Sequence, residues 1–176
     1  MTVCDREYEK NAKFLGSRNR AIVLVLLDAG VRLSELTGMR LTDVDTSNGN
    51  IRVLGKGNKE RVVWISKTTQ KAPWRYLMHR PDNSDTELWL TEEGKGFSPR
   101  GVQSFVKGLK GRAGVKGSGC IHRFRHTFAL YCLRVDTNVF NLQYLLGHSE
   151  LEMVRRYTVT LGMENALKAH EKSQPS

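Results

Sequence analysis

Two short β-branched runs, "IRVLG" (51–55) and "ERVVWI" (60–65), interrupt a chain whose other apolar residues recur mostly at helical spacing. They are separated only by "KGNK", and Asn48-Gly49 marks a tight turn just before them. This pattern predicts a small antiparallel sheet of two or three strands between Val44 and Ile65, with Lys56 at the hairpin tip. The total is mostly helical with only this minor sheet, which excludes a Rossmann-type parallel core. The fold class expected is α+β, mostly α-helical, with a small antiparallel β-sheet.

The flanking segments carry helix signals. Ser17 followed by "RNRAIVLVLLDAG" predicts a capped, largely buried helix ending at Gly30. A second short helix is expected from Ser34, with Glu35 in its first turn, where a carboxylate complements the macrodipole. Arg32 is left in the connection between the two. After the sheet, helices return with a short extended piece at "ELWL", and Pro73 is expected to start or kink one of them. Ser98-Pro99 supplies an N-cap and an N1 proline for "RGVQSFVKGLKGRAG", which Gly108 and Gly111 weaken.

"IHRFRHTFALYCLRV" and "TNVFNLQYLLG" also read as helices, the second stopped by Gly147. Between them Asp136 or Asn138 is expected to take up left-handed geometry. Ser149 to Glu152 fits a capping box for a short helix carrying Tyr157 near its end. "MENALKAHEK" reads as a polar-faced helix before a disordered "SQPS".

Composition narrows the function. With 176 residues the chain suits one domain. Its 28 Lys and Arg against 18 Asp and Glu give a net charge of +10, which points to a polyanionic partner such as nucleic acid. Cys4, Cys120 and Cys132 cannot all pair and form no C-x-x-C couple, so reduced thiols are expected. The longest apolar run, "AIVLVLL", stops at Asp28, far short of the ~20 residues of a membrane span. The charged N-terminus carries no signal-peptide core, so a cytoplasmic location is expected.

The first chemical constellation is "HRFRH". His122 and Arg125, three apart, share a helix face. His126 lies four from His122, the spacing of a metal-binding pair, but a zinc helix of the H-E-x-x-H type needs a carboxylate where Arg123 stands. No metal and no other cofactor is expected, and His126 reads as structural. Arginine offers a planar fork to two phosphate oxygens and histidine moves a proton near neutral pH, so Arg125 with His122 suits a phosphate. Glu35 reads as the partner that orients an arginine by ion pairing. Trp64, Trp74 and Trp89 read as core or rim residues.

Taken in order, "DAGVRLSELTGMRLTDVD", "GKGNKERVV", "IHRFRHTFA" and "LLGHSELEMVRRYT" resemble the catalytic domain of the tyrosine recombinases, the phage integrase family, over about residues 20 to 160. The resemblance implies that fold and a set of site residues. Arg32 matches the first family arginine and Lys56 the hairpin lysine. His122 and Arg125 match the H-x-x-R pair, His148 the histidine of "LGH", and Tyr157 the nucleophile.

The implied chemistry explains these residue types. Arg32 and Arg125 would grip the nonbridging oxygens of the scissile phosphate in place of metal ions, with His148 adding a hydrogen bond. Tyr157 would attack phosphorus to give a 3′-phosphotyrosyl ester, with His122 as its base and Lys56 as the acid for the leaving 5′-oxygen.

The implied partners are double-stranded DNA and further protomers in a DNA-bound synaptic tetramer, with a monomer in free solution and no membrane. The implied setting is prokaryotic or phage, at the nucleoid. Full-length members of the family usually carry an N-terminal core-binding domain as well, so residues 1–176 are expected to be the catalytic domain, either as a fragment of a longer protein or as an unusually small member. Residues 161–176 would be a helix and tail that docks either on its own domain or on a neighbouring protomer. Two other readings share these residues: a type IB topoisomerase-like enzyme and a non-catalytic DNA-binding regulator. A metal-dependent nuclease ranks below both.

Overall fold

A computed structural model describes residues 2–9, 13–55, 57–82, 86–117, 121–135, 137–147, 159 and 162. The elements are α1 (Thr2–Glu9), α2 (Lys13–Ala29), α3 (Leu33–Thr37), a single 3-10 turn (Leu41–Asp43), β1 (Val44–Asp45), β2 (Asn50–Leu54), β3 (Glu60–Trp64), α4 (Lys67–Leu77), α5 (Pro99–Arg112), α6 (His122–Arg134) and α7 (Val139–Leu146). The chain divides into two compact units, residues 1–128 and 129–176.

In the first unit α2 is the central helix. "AIVLVLL" is apolar on every face, so a helix made of it has to be covered all round. It packs against α1, α4 and β3, and Ala21, Ile22, Val25 and Leu26 have no exposed surface. Burial of each of the larger aliphatic side chains contributes about 1.5–3 kcal/mol. At Gly16 a Cβ would lie 2.5 Å from the backbone nitrogen of Tyr8, so the missing side chain is what lets α1 lie this close.

Ser17 does not cap α2. The helix starts four residues earlier, and the buried Ser17 hydroxyl donates back to the Lys13 carbonyl at 2.6 Å, which satisfies it within the helix. The C-terminal end is where the glycine put it: Gly30 has φ +58.

The three strands form one antiparallel sheet in the order β1-β2-β3. At the first turn Gly49 has φ +76, and the Asp45 carboxylate accepts from the Ser47 and Asn48 backbone N–H groups and from Asn48 Nδ2. Those bonds hold the Asp45 carboxyl below its ordinary pKa, the side chain of Asn48 contributing most. At the second turn Gly57 and Asn58 both have positive φ, and Gly55 N–H donates to the Lys59 carbonyl at 2.8 Å. Alternation then does its work: Ile51, Val53 and Val63 face the core, while Arg52, Leu54, Val62 and Trp64 face out.

The same core takes in Leu36 and Met39, Tyr76 of α4, Leu88 and Trp89, Val102 and Val106 of α5, and Ile121. Trp89 is buried and stacked on Tyr76 at 5.4 Å between ring centroids, whereas Trp64 and Trp74 lie half-exposed at the rim. Tyr76 OH donates to the Leu88 carbonyl at 2.9 Å and accepts from Leu90 N–H at 3.1 Å, so it satisfies both ends of the extended piece.

Ser66 caps α4 by accepting from Thr69 N–H, so the helix begins well before Pro73 and runs through it. Ser98 caps α5 by accepting from Gly101 N–H at 3.1 Å. In the second unit Asn138 is not left-handed. It has φ −54 and caps α7, its side chain accepting from Phe140 N–H at 2.8 Å, because a helix start offers its carbonyl oxygen an unpaired donor. Asp136, the Ser149–Glu152 capping box and most of the C-terminal segment lie outside the described residues. No described helix is long and apolar enough to cross a membrane.

Candidate active site

Arg32 occupies the N-cap position of α3, two residues after the left-handed Gly30. Its backbone N–H donates to Glu35 Oε2 at 2.7 Å, the return half of a capping box, and its Nη1 donates to Glu35 Oε1 at 3.1 Å. Glu35 therefore fixes both the backbone and the guanidinium of Arg32, as expected of a carboxylate in that turn. The Glu35 side chain has no exposed surface, while that of Arg32 keeps 20% of its own.

A single guanidinium does not account for a carboxylate buried so completely. The second partner is Arg61 on β3, whose Nη1 and Nη2 donate to Glu35 Oε1 and Oε2 at 3.2 and 3.0 Å. Burial pulls the Arg61 pKa down, Glu35 opposes that and Arg32 adds to it, so the carboxylate is what keeps two neighbouring cations tolerable. Gly55 lies alongside: a Cβ there would sit 3.5 Å from Glu35 Oε1. The residue next to Lys56 thus borders the carboxylate that holds Arg32.

Sequence reasoning missed Arg61. The signal was its parity: it lies two residues before the buried Val63, on the inward side of β3, where a charge needs a partner.

Arg125 comes from the first turn of α6. It is 2% exposed, and its Nη1 donates to the Gly30 carbonyl at 2.6 Å. The turn that presents Arg32 is thereby tied to the guanidinium of Arg125. Gly30 is the residue this requires, since its φ is left-handed and a Cβ would lie 2.4 Å from Phe128 Cδ1. His122, one helical turn before Arg125, starts α6 with its side chain exposed. Two guanidiniums held by backbone and carboxylate, with an exposed imidazole on the helix of one of them, can bind a phosphodiester and exchange a proton beside it. Lys56, His148 and Tyr157 lie outside the described residues.

Comparison with known proteins decides the family. The model of the phage integrase family matches residues 4–161. The chain belongs to the phage integrase family. Tyrosine recombinase XerC of Vibrio cholerae is 34% identical over 164 residues, which is 92% of this chain and 52% of that protein. The crystal structure of XerA recombinase superposes with a TM-score of 0.74 at 30% identity, covering 81% of this chain and 51% of that one. The XerH site-specific recombinase, solved as a pre-cleavage complex on its difH substrate, shares the fold with a TM-score of 0.71 at 23% identity, over 82% of this chain and 43% of that one. The chain spans about half the length of the curated relatives it matches. Its mostly α-helical fold with a small antiparallel sheet is that of the tyrosine recombinase catalytic domain.

Proposed function

We propose that this chain is a site-specific DNA recombinase that cuts and rejoins double-stranded DNA, without a metal ion, through a 3′-phosphotyrosyl ester at Tyr157. The observation that carries the reading is the tie between Arg125 and the Gly30 carbonyl, two residues from Arg32. Arg32 and Arg125 bind the two nonbridging oxygens of one scissile phosphate, and His148 donates to the same group. Their charges offset the negative charge that grows in the pentacoordinate transition state.

Tyr157 gives its proton to His122 and its oxygen bonds to phosphorus, while the bond from phosphorus to the 5′-oxygen breaks and Lys56 protonates that oxygen. The ester conserves the bond energy of the phosphodiester. A 5′-hydroxyl from a second duplex can therefore reverse the step without ATP, and that reversal is strand exchange.

XerH is solved on its substrate, and the net charge of +10 fits this chain to the same class of partner. The chain works in the prokaryotic cytoplasm as a monomer off DNA and as one of four protomers in the synapse, with residues 161–176 as the docking segment. A stable dimer of the free chain in sedimentation would overturn that assembly scheme.

The test is a nicked suicide duplex in EDTA. A protein–DNA adduct that survives denaturation, and is lost in Tyr157→Phe, is the expected result; an adduct that persists in Tyr157→Phe contradicts the reading. Joining of strands from two duplexes distinguishes recombination from topoisomerase-like relaxation of a supercoil.

A further inference from the structure

Glu35 carries one negative charge and lies between two guanidiniums, one from the turn that starts α3 and one from the hairpin strand β3. The geometry of the two contacts differs. Arg61 meets the carboxylate with both terminal nitrogens in a parallel fork, the strongest arrangement open to such a pair. Arg32 Nη1 reaches Oε1 at 3.1 Å, and its backbone N–H reaches Oε2 at 2.7 Å. The Arg61 side chain is 12% exposed against 20% for Arg32, and its Nε is buried with no hydrogen-bond partner among the described residues. An arginine turned inward in this way is positioned to neutralise Glu35 rather than to reach a ligand.

We propose that Arg61 is a positioning residue for Arg32: it supplies the charge that neutralises Glu35, which leaves the charge of Arg32 to act on the phosphate, and it ties the hairpin carrying Lys56 to the same carboxylate. This rests on the function proposed above. Without Arg61, Glu35 would remain buried with Arg32 as its only cation among the contacts described, and the pair would be neutral in front of an anion. The defect would then fall on the transition state, while DNA affinity, shared among many phosphates, would change little.

The experiment measures adduct formation on the nicked suicide duplex over a range of DNA concentrations for the wild type, Arg61→Met, Glu35→Gln and Glu35→Gln/Arg61→Met. Arg61→Met is expected to lower the maximal rate by up to about 100-fold, the size of loss that follows when a change away from the chemistry misplaces a reacting group, with KM nearly unchanged. Removing the carboxylate charge as well should restore about tenfold, a coupling ordinary for residues in direct contact. A maximal rate for Arg61→Met equal to wild type, or a double variant no faster than Arg61→Met, overturns the proposal. If Arg61→Met does not fold, the double variant is compared with Glu35→Gln: equal rates support a role exerted through Glu35, and a further tenfold loss contradicts it. If the wild type forms no adduct, the recombinase reading itself fails. The coupling is then read from the Arg32 guanidinium 15N signals, which should move in Arg61→Lys if Arg61 shares Glu35 with Arg32, and an unmoved signal sinks it.

Discussion

Gly30→Ala perturbs the point on which the site is hung. Gly30 has φ +58, and its carbonyl receives Arg125 Nη1 at 2.6 Å. Two costs add. A side chain at left-handed φ costs about 1–2 kcal/mol. The new Cβ would also lie 2.4 Å from Phe128 Cδ1 and 2.8 Å from Cγ, a ring carbon overlap relieved only by moving the ring or the turn. Overpacking of this kind costs about 1–3 kcal/mol. The sum, about 2–5 kcal/mol, is a large part of the ~5–15 kcal/mol that stabilises an ordinary domain. Urea denaturation at a fixed pH measures it, and a slope near ~2 kcal/mol/M places the midpoint about 1–2.5 M lower. The cycle with Phe128→Ala separates the costs, because the clash vanishes in the double variant and the backbone cost does not. A Gly30→Ala midpoint within about 0.3 M of wild type would refute the assignment of both costs to this turn.

Other consequences are open to direct measurement. Glu35→Ala leaves two guanidiniums without their shared carboxylate and should cost about 3–5 kcal/mol in the same urea titration. Burial pushes the Tyr76 phenol above its ordinary value, against the opposing Leu90 hydrogen bond and the charges of Arg80 and Arg18. Its contribution is therefore complete below about pH 10, the unfolded value, and is lost as pH rises through the folded one. Tyr76→Phe should flatten that alkaline loss while costing about 1–3 kcal/mol at neutral pH, because the Leu88 carbonyl and Leu90 N–H lose their partner. Ser98→Ala should lower stability by about 0.5–2 kcal/mol through loss of the α5 cap, checked by thermal melting.

Much of this molecule is legible in its sequence where a local signal coincides with a tertiary need. The β-branched runs around "KGNK" become β2 and β3, Gly30 ends α2 and Ser98 caps α5, because at each place the local preference and the tertiary contacts ask for the same conformation. Ser17 misleads because the same hydroxyl can cap a helix or bond back inside one, and in α2, which starts at Lys13, it does the second. Asn138 misleads for a similar reason: the residue type serves both a left-handed turn and an N-cap. Within the site, the pairing of Glu35 with an arginine is legible from its place in the first turn after Arg32. Arg61 is hidden because its partner is remote in sequence and only the parity of β3 hints that it turns inward.

The central claim is that a phenolic oxygen of this chain takes up the scissile phosphate of a duplex. The most direct measurement is to trap the adduct on a suicide duplex in EDTA, digest protein and DNA, and locate the nucleotide by mass spectrometry. The account predicts a nucleotide attached through its 3′-phosphate to Tyr157, in the tryptic peptide that follows Arg156. Attachment to any other residue, or through a 5′-phosphate, would contradict it.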